Sequence, residues 1–190
     1  MAITYTDTSD STQPLESRYN TLAQERELYL ERARDCSELT IPTLIPQDGY
    51  TGAEEFETTY QGIGARGVNN LASKLLLSLL PPNAPFFRLA IDNFAVREIE
   101  EDENLRTQID SGLVKIEKAV MDDIEMSNDR VAVFEALKHL IVGGNALLFV
   151  SNEGLRVFPL SQYVLERDPM GNVLEIITKE SIAYSALPED

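Results

Sequence analysis

The chain has 190 residues, of which 43% are hydrophobic and 25% are charged, a composition typical of a folded domain or of one large piece of a bigger protein. Its 32 Asp and Glu residues against 16 Lys and Arg give a formal net charge of −16, which repels phosphate and anionic lipid and argues against a general nucleic-acid-binding protein. The single cysteine, Cys36, excludes an internal disulfide and a site of several thiolates, and we expect this thiol to be buried.

Residues 1–12 are predicted to form a flexible N-terminus ahead of a long amphipathic helix. No Lys or Arg precedes Arg18 and no apolar run begins the chain, so the features of a secretory signal are missing and we expect a cytoplasmic protein. Ser11 or Thr12 offers a helix cap, and Pro14 suits the first turn. The predicted apolar face, spaced in steps of four and three with Arg26 in one of its positions, consists of Leu15, Tyr19, Leu22, Tyr29, Ala33 and Cys36.

A loop, "IPTLIPQDGYTG", is predicted next, followed by a second helix in "GARGVNNLASKLLLSLLPP", Gly64 to Pro82. Polar residues interrupt this stretch and Pro81 ends it, so it cannot cross a bilayer, which needs about 20 mostly apolar residues. A narrow polar stripe is formed by Arg66, Asn70 and Lys74. A broad apolar face predicts that the helix is mostly buried, and it consists of Val68, Leu71, Ala72, Leu75, Leu76 and Leu79.

Three further elements are predicted before the first clear strands. "FFRLAID" is typical of a short strand, with Phe87, Leu89 and Ile91 on one face. Residues 108–126 predict an amphipathic helix, in which Glu117, Lys118, Asp122 and Asp123 lie opposite the apolar positions Ile109, Leu113, Ile116, Val120 and Ile124. Another helix is predicted to begin at a Ser127 or Asn128 cap, to end at Gly143 or Gly144, and to bury Val131, Phe134, Leu137, Leu140 and Ile141.

The C-terminal part has the β-branched and aromatic character of strands, in "NALLFV", "LRVFPL", "YVLERD" and "VLEIITKE". "DPMGN" predicts a hairpin at about 163–180, because Pro169 suits the second position of a type I turn and Gly171 the left-handed position after it. Helices over 13–142 followed by a small antiparallel sheet over 145–180 predict an α+β fold and not a doubly wound sheet.

Residues suited to catalysis or metal binding are scarce. His139, the one histidine, could be a general base, but a structural residue or one that stabilises the helix dipole is favoured. Two acidic groups could hold a divalent cation, although a solvated charged surface is favoured for both: Glu98, Glu101 and Asp102, and Asp122, Asp123 and Glu125. No catalytic, cofactor-binding or metal-binding residue is assigned, no cofactor is expected, and any DNA-binding residues are unknown.

"GIGARG" opens the second helix, where free backbone N–H groups could hold a phosphate. It lacks both the Walker Lys-Ser/Thr ending and the dinucleotide spacing. We therefore favour close packing of the helix start, with the glycines letting another backbone approach. Arg66, Lys74 and Arg88 could form a small basic spot, which is too little for a DNA groove in so acidic a chain.

Long stretches of the chain carry a family resemblance. They are "LYLERARDCSELTIPTLIP", "GARGVNNLASKLLLSLLPP" with the following "FFRL", "RVAVFEALKHLIVGGNALLFV", and "PLSQYVLERDPMGNVLEIITKESIAYSALPED". In order and spacing they resemble the N-terminal portion of the portal, or head-to-tail connector, proteins of short-tailed bacteriophages of the podovirus type. The resemblance covers nearly everything after the first dozen residues, while "REIEEDENL" and the extreme N-terminus carry no matching motif.

The resemblance implies a structural subunit, not an enzyme, of a dodecameric portal ring through which double-stranded DNA is packaged and ejected. The implied partners are identical subunits, capsid protein, the terminase motor, the tail adaptor, internal core proteins and the passing DNA, with no membrane. The implied location is the portal vertex of the virion, reached by assembly in the host cytoplasm. Residues 13–190 would form a wing-like region, and the stem, clip and crown would be absent from this chain.

Two alternatives from other classes stay open at this point. A non-viral structural adaptor or scaffold protein would also explain the helices, and a metal-dependent hydrolase would use the two acidic groups. For a ring subunit, part of the apolar face of the second helix would close the subunit's own core. The rest would be covered by missing segments or by a neighbouring subunit, so the isolated chain is expected to expose apolar surface and to associate.

Overall fold

The computed structural model describes residues 14–47, 49–50, 55–56, 59–82, 84–90, 103–151 and 154–181, the side chains of 103–105 excepted. Within these ranges four helices precede two β-hairpins, which confirms the predicted α+β fold. The predicted flexible segment 1–12 lies outside them. The elements are α1 (Leu15–Glu38), α2 (Ile63–Leu79), α3 (Glu103–Met126), α4 (Asp129–Gly143), β1 (Leu147–Ser151), β2 (Gly154–Phe158), a 3-10 turn (Leu160–Gln162), β3 (Tyr163–Arg167) and β4 (Val173–Thr178).

Helix α1 begins directly after Pro14, whose carbonyl accepts a hydrogen bond from the Arg18 N–H at 3.1 Å. Pro14 is therefore the N-cap residue and not part of the first turn, and the predicted caps Ser11 and Thr12 lie outside the described residues. A proline fits here because the first N–H groups of a helix have no partner within it.

The buried side of α1 differs in part from the predicted one. Leu22 and Ala33 are buried as predicted, but Leu15 and Tyr29 are 68% and 59% exposed and the Cys36 thiol is exposed, so the prediction of a buried cysteine is wrong. Arg26, whose position belongs to the predicted face, is half-buried and donates to the backbone carbonyls of Leu160 and Tyr163. The other side chains that α1 buries are Leu30, Arg34 and Ser37.

A tight reversal follows α1, as the prolines and glycines of this stretch predict. The Ser37 hydroxyl donates to the Ile41 carbonyl at 2.7 Å and accepts the Ile45 N–H at 3.2 Å. These two bonds satisfy buried backbone groups outside any helix or strand. They also fold the chain so that Ile45, only 3% exposed, enters the core.

Helix α2 is much less buried in this chain than predicted. Val68 and Ala72 are buried, but Leu71 and Leu79 are 46% and 53% exposed. The reason is that α2 packs against α4 along one side, and no other described element covers its remaining surface to a comparable extent. The prediction of a mostly buried helix is therefore wrong for the chain by itself.

The segment before α3 forms no strand over 86–90, contrary to the prediction for "FFRLAID", of which Ile91 lies outside the described residues. The backbone N–H of Leu89 donates at 2.6 Å to a carboxylate oxygen of Glu117 on α3. The Glu117 carboxylate thus accepts a hydrogen bond from a backbone N–H that a neighbouring strand would otherwise have accepted. Helix α3 itself begins at Glu103, five residues before the predicted start.

Helix α4 begins and ends as predicted. Asn128 is the N-cap residue, and Gly144 closes the helix with φ 72°, in the left-handed region that glycine enters without strain. Its buried side is different, since Leu137 is buried as predicted while Val131 and Leu140 are 65% and 48% exposed. The face is displaced because α4 lies between α1, α2 and β2 and packs against all three.

The strands form two separate antiparallel hairpins and not the single small sheet that was predicted. Strands β1 and β2 pair with Leu147 opposite Phe158, and β3 and β4 pair with Tyr163 opposite Thr178. Both pairings follow the hydrophobic stretches from which the strands were predicted.

The turn of the second hairpin confirms the prediction from "DPMGN". The Gly171 N–H donates to the Asp168 carbonyl at 2.9 Å, with Pro169 in the second position, and Gly171 has φ 90°. Hydrogen bonds from the side chain and backbone of Asn172 lower the pKa of the Asp168 carboxyl.

The core lies where α1, α2, α4 and the hairpins meet. Its main cluster consists of Leu30, Ala33, Ile45, Val68, Val142, Phe158, Leu160 and Tyr163. A second cluster, Leu22, Val164 and Ile177, joins the first half of α1 to the second hairpin. Burial raises the pKa of the Tyr163 hydroxyl, so this side chain is neutral in the core.

Candidate functional site

The most distinctive exposed surface is the outward side of α2. We call this surface the α2 outer face and define it as Ile63, Arg66, Asn70, Leu71, Lys74 and Leu77. Its apolar members are well exposed, with Ile63 at 70% and Leu77 at 57%. A shallow depression of about 500 Å³ runs along it. Isolated exposed leucines are common, but here three large aliphatic side chains, Ile63, Leu71 and Leu77, are exposed around the polar stripe of one helix side, which indicates a contact surface.

The α2 outer face is also basic within an acidic protein. Arg66 and Lys74 lie on it, and both are exposed. No Asp or Glu occurs between residues 58 and 91, whereas the whole chain has twice as many acidic as basic residues. The predicted basic spot therefore exists in part. Arg88 is exposed in the segment after α2 and does not line the depression.

A second unpartnered surface lies on α3. We call it the α3 stripe and define it as Ile109, Leu113, Ile116, Val120 and Ile124. These residues recur on one side of the helix as predicted, yet Ile116 is 53% and Val120 is 39% exposed. Among the helices described, α3 packs mainly against α4. An amphipathic helix in water gains stability by covering such a stripe, so the α3 stripe also indicates a contact surface.

Beside the α3 stripe, a cleft of about 380 Å³ separates α3 from the segment containing Ala84 and Pro85. Its floor is apolar, with Val114 and Met121. Its rim carries charges of both signs, from Glu117, Lys118, Asp122 and Glu125. Two of the three acidic residues suggested for a cation site, Asp122 and Glu125, line this cleft together with Lys118. The positive charge of the lysine disfavours a metal cation at the same place.

The described residues contain no group of three or more His, Cys, Asp or Glu side chains arranged to hold a metal ion. Asp122 and Glu125 lie on one side of α3 and line the cleft, but Asp123 points away, since neighbouring helix positions differ by about 100°. The other suggested group, Glu98, Glu101 and Asp102, lies outside the described residues.

His139 is buried in the structure, at 3% exposure, and lies in neither of the two surface depressions. Burial lowers the pKa of its imidazole, against the weaker opposing effect of Glu135, whose carboxylate is 3.9 Å from Nε2. Within the described part of the chain, Nδ1 has no hydrogen-bond partner. A neutral buried imidazole favours the structural interpretation over a charge that stabilises the end of the helix.

We expect the stability of the protein to fall as the pH drops below about 6.5, because the unfolded chain then binds a proton at His139 that the folded chain resists. Above that pH both states are neutral and this contribution is fully present. Replacing His139 with Gln is expected to flatten the dependence of the unfolding free energy on pH between about 7.5 and 5.5. Urea titrations of both proteins at several pH values measure this, and parallel curves would contradict it because the carboxyl groups are common to both.

The start of α2 confirms the close-packing interpretation of "GIGARG". A side-chain Cβ at Gly64 would lie 2.6 Å from the Leu39 carbonyl oxygen and 3.2 Å from the Thr40 Cα, so only glycine lets the end of α1 approach this closely. Nothing lies within 4 Å of a Cβ built at Gly62 or Gly67. The close approach thus depends on one glycine of the three.

Two arginines of α1 have roles that the sequence pattern did not predict. Arg26 Nη1 donates to the backbone carbonyls of Leu160 and Tyr163, at 2.9 and 2.6 Å. Arg18 binds Glu166 and Glu175 on the two strands of the second hairpin, and its hydrogen bond to Glu175 raises the pKa of the guanidinium. For Arg26 the sequence contained a signal, namely a charged residue at a position of the apolar face predicted for α1.

No helix in the described ranges combines the length and the apolar character that a bilayer span requires. This agrees with the exclusion of a membrane span from the sequence of α2.

Fold and surface together define the class as an assembly subunit. Its described residues form a small core, and they present apolar faces on two helices that the other described elements leave uncovered. Residues 12–190 match the family described as bacteriophage head to tail connecting protein, so the chain belongs to that family. The family resemblance seen in the sequence is confirmed.

Individual relatives agree with this assignment. The portal protein of Escherichia phage T7 is 41% identical over 180 residues, covering 92% of this chain and 33% of the relative. The portal protein of Enterobacteria phage T3 is 41% identical over 177 residues, covering 90% and 33%. That of Enterobacteria phage SP6 is 32% identical over 156 residues, covering 82% and 30%. The chain therefore spans about a third of the length of the curated relatives it matches.

Proposed function

We propose that this chain is a structural part of a phage portal ring, through which double-stranded DNA is packaged and later ejected. The observation that carries the proposal is the 41% identity to a portal protein over 92% of the chain. Identity at this level over most of the chain indicates the same fold. The role is structural, with no catalytic residue, metal or cofactor invoked.

The surface of the chain supports an assembly role independently of the relatives. The α2 outer face and the α3 stripe together expose large aliphatic side chains such as Ile63, Leu77 and Ile116. Burial of an aliphatic side chain is worth roughly 1.5–3 kcal/mol, so leaving several of them in water is costly. Contacts with further copies of the subunit, or with other parts of it, remove that cost.

The charge of the chain fits a conduit better than a DNA-binding module. With a net charge of −16 it repels a polyanion and lets DNA pass without holding it. We assign residues 13–190 to the wing-like outer region of the subunit. The stem, the clip and the crown then belong to the remaining two thirds of a protein as long as the relatives.

Under this proposal the ring is a dodecamer at one vertex of the capsid and is assembled in the host cytoplasm. Its partners are the capsid protein, internal core proteins, the terminase motor that packages the DNA, and the tail adaptor. These partners are taken from the family as a whole, and no described residue is assigned to any of them.

Electron microscopy of the purified full-length subunit tests the proposal. We expect closed rings with a central channel and twelve subunits in class averages of end-on views. A second arm uses a phage that lacks the gene, which is expected to build capsids without packaged DNA until the subunit is supplied. A full-length protein that stays monomeric, or that forms open filaments, would contradict the proposal.

A further inference from the structure

We propose that the α2 outer face of one subunit packs against the α3 stripe of a neighbouring copy of the same chain. This inference rests on the proposed ring and specifies which surfaces join its subunits. It commits to a second copy of the chain as the occupant of the α2 outer face.

The first argument is that the two faces suit each other in charge. The α2 outer face carries Arg66 and Lys74, and α2 contains no acidic residue. Helix α3 carries six acidic residues against three basic ones. One of the acidic residues, Asp123, is exposed and follows Val120 by about one turn, so it lies on the side of the stripe and not opposite it as predicted. Opposite charges beside exposed apolar side chains favour association and fix the register of the contact.

The second argument is that both faces carry exposed apolar side chains that the other described elements leave uncovered. Ile63 and Leu77 are exposed on α2, as are Ile116 and Val120 on α3. Leucine and isoleucine side chains of this kind pack well between two helices, at an axial separation of about 8–10 Å. A single contact would therefore cover the exposed apolar side chains of both surfaces.

The third argument comes from symmetry. A contact between two different faces is heterologous, and only a heterologous contact, repeated with a rotation that closes, generates a ring of more than two subunits from one kind of interface. A contact of the α2 outer face with its own copy would be isologous and would place Arg66 and Lys74 near the same cations of the partner, which is unfavourable. The α3 stripe supplies the opposite charge and the different face that a ring requires.

DNA is a poorer occupant of the α2 outer face. Phosphate binding draws its strength from the number of cations, and this face has two, Arg66 and Lys74, with the uncharged Asn70 between them. The exposed Ile63 and Leu77 gain nothing from a phosphate backbone but gain from contact with Ile116 and Val120.

Site-directed crosslinking in the full-length subunit tests the contact. The natural thiol is first removed by Cys36→Ser, because Cys36 is exposed. Asn70→Cys is then combined with Ile116→Cys or with Val120→Cys, and a short bismaleimide is added. We expect a ladder of covalent dimers and higher oligomers from the double variants only. The matched control combines Asn70→Cys with Arg32→Cys on the exposed side of α1 and is expected to give no ladder.

Each other outcome has a definite meaning. Crosslinking by Asn70→Cys alone would show an isologous contact between α2 helices and overturn the inference. Intact rings in the microscope with no crosslink from either double variant would also overturn it, while leaving the proposed portal ring untouched. Absence of rings before any substitution would instead contradict the proposed function.

Charge reversal gives a second, independent readout. Lys74→Glu is expected to raise the protein concentration needed for ring formation by about tenfold, and adding Asp123→Lys to the same chain is expected to recover most of that loss. If Lys74→Glu leaves ring formation unchanged but weakens binding of duplex DNA to intact rings, the α2 outer face serves DNA and the inference is wrong.

Discussion

Replacing Arg26 with alanine is expected to lower the free energy of unfolding by about 3–5 kcal/mol, the largest effect of any single substitution considered. Arg26 Nη1 donates to the carbonyls of Leu160, Ser161 and Tyr163, at 2.9, 3.2 and 2.6 Å. Hydrogen bonds from a charged donor are each worth about 1.5–3 kcal/mol. The Nη1 nitrogen of Arg26 carries two protons, so its contacts with three carbonyls are equivalent to about two full hydrogen bonds.

The physical reason for so large an effect is that the acceptors are part of the backbone. The carbonyls of the 3-10 turn and of Tyr163 lie where the chain passes from the first hairpin to the second. Alanine would remove the donor and leave these groups next to a gap, and a buried carbonyl without a partner is costly. The aliphatic part of the arginine, which packs between α1 and the strands, would be lost as well.

Urea unfolding followed by circular dichroism measures the effect. The matched control is Arg32→Ala on the exposed side of the same helix, which is expected to change the unfolding free energy by less than about 0.5 kcal/mol. Arg26→Lys is expected to fall between the wild type and Arg26→Ala, because an ammonium group keeps the charge but not the planar geometry. Equal stability of Arg26→Ala and Arg32→Ala would show that these hydrogen bonds contribute nothing.

The sequence predicted those parts of the fold that short-range chemistry determines. Asn128 and Gly144 bound α4 because a cap and a left-handed glycine are local features. The hairpin turn with Gly171 was predicted for the same reason. The order of helices and strands follows from periodicity and gave the α+β fold class.

The burial of individual side chains was predicted less well, because it depends on which distant part of the chain packs against each helix. Leu140 on α4 has the right spacing for an apolar face, yet it is exposed because the helix packs between partners on different sides. The strand predicted in "FFRLAID" is absent over 86–90, where the Leu89 N–H donates to Glu117 of α3 and not to a neighbouring strand. Neither partner can be read from the local pattern.

The candidate contact surface was predicted in part. The polar stripe and apolar flanks of α2 were visible in the sequence, as was the amphipathic pattern of α3. The exposure of these faces in the folded chain could not be predicted from the sequence. The structure leaves four of their side chains exposed, namely Ile63, Leu77, Ile116 and Val120. Periodicity shows that a face is apolar, but only the folded structure shows whether another element covers it.

Replacing Gly64 with alanine is expected to cost about 1–3 kcal/mol of stability, even though alanine is the better helix former. The new Cβ would lie 2.6 Å from the Leu39 carbonyl oxygen and 3.2 Å from the Thr40 Cα. Both atoms belong to the backbone at the end of α1, so no rotamer change can relieve the clash. Either α2 moves away from α1 or the reversal after α1 deforms.

Gly67→Ala is a control with the same chemistry and without the clash. Gly67 lies in the same helix, three residues further on, and nothing lies within 4 Å of a Cβ built there. Alanine at this position is expected to gain about 0.5–1 kcal/mol from helix propensity alone. The two substitutions should therefore shift the urea midpoint in opposite directions. If both variants were stabilised alike, the end of α1 would have room to retreat, and the close packing of the two helices would not need a glycine.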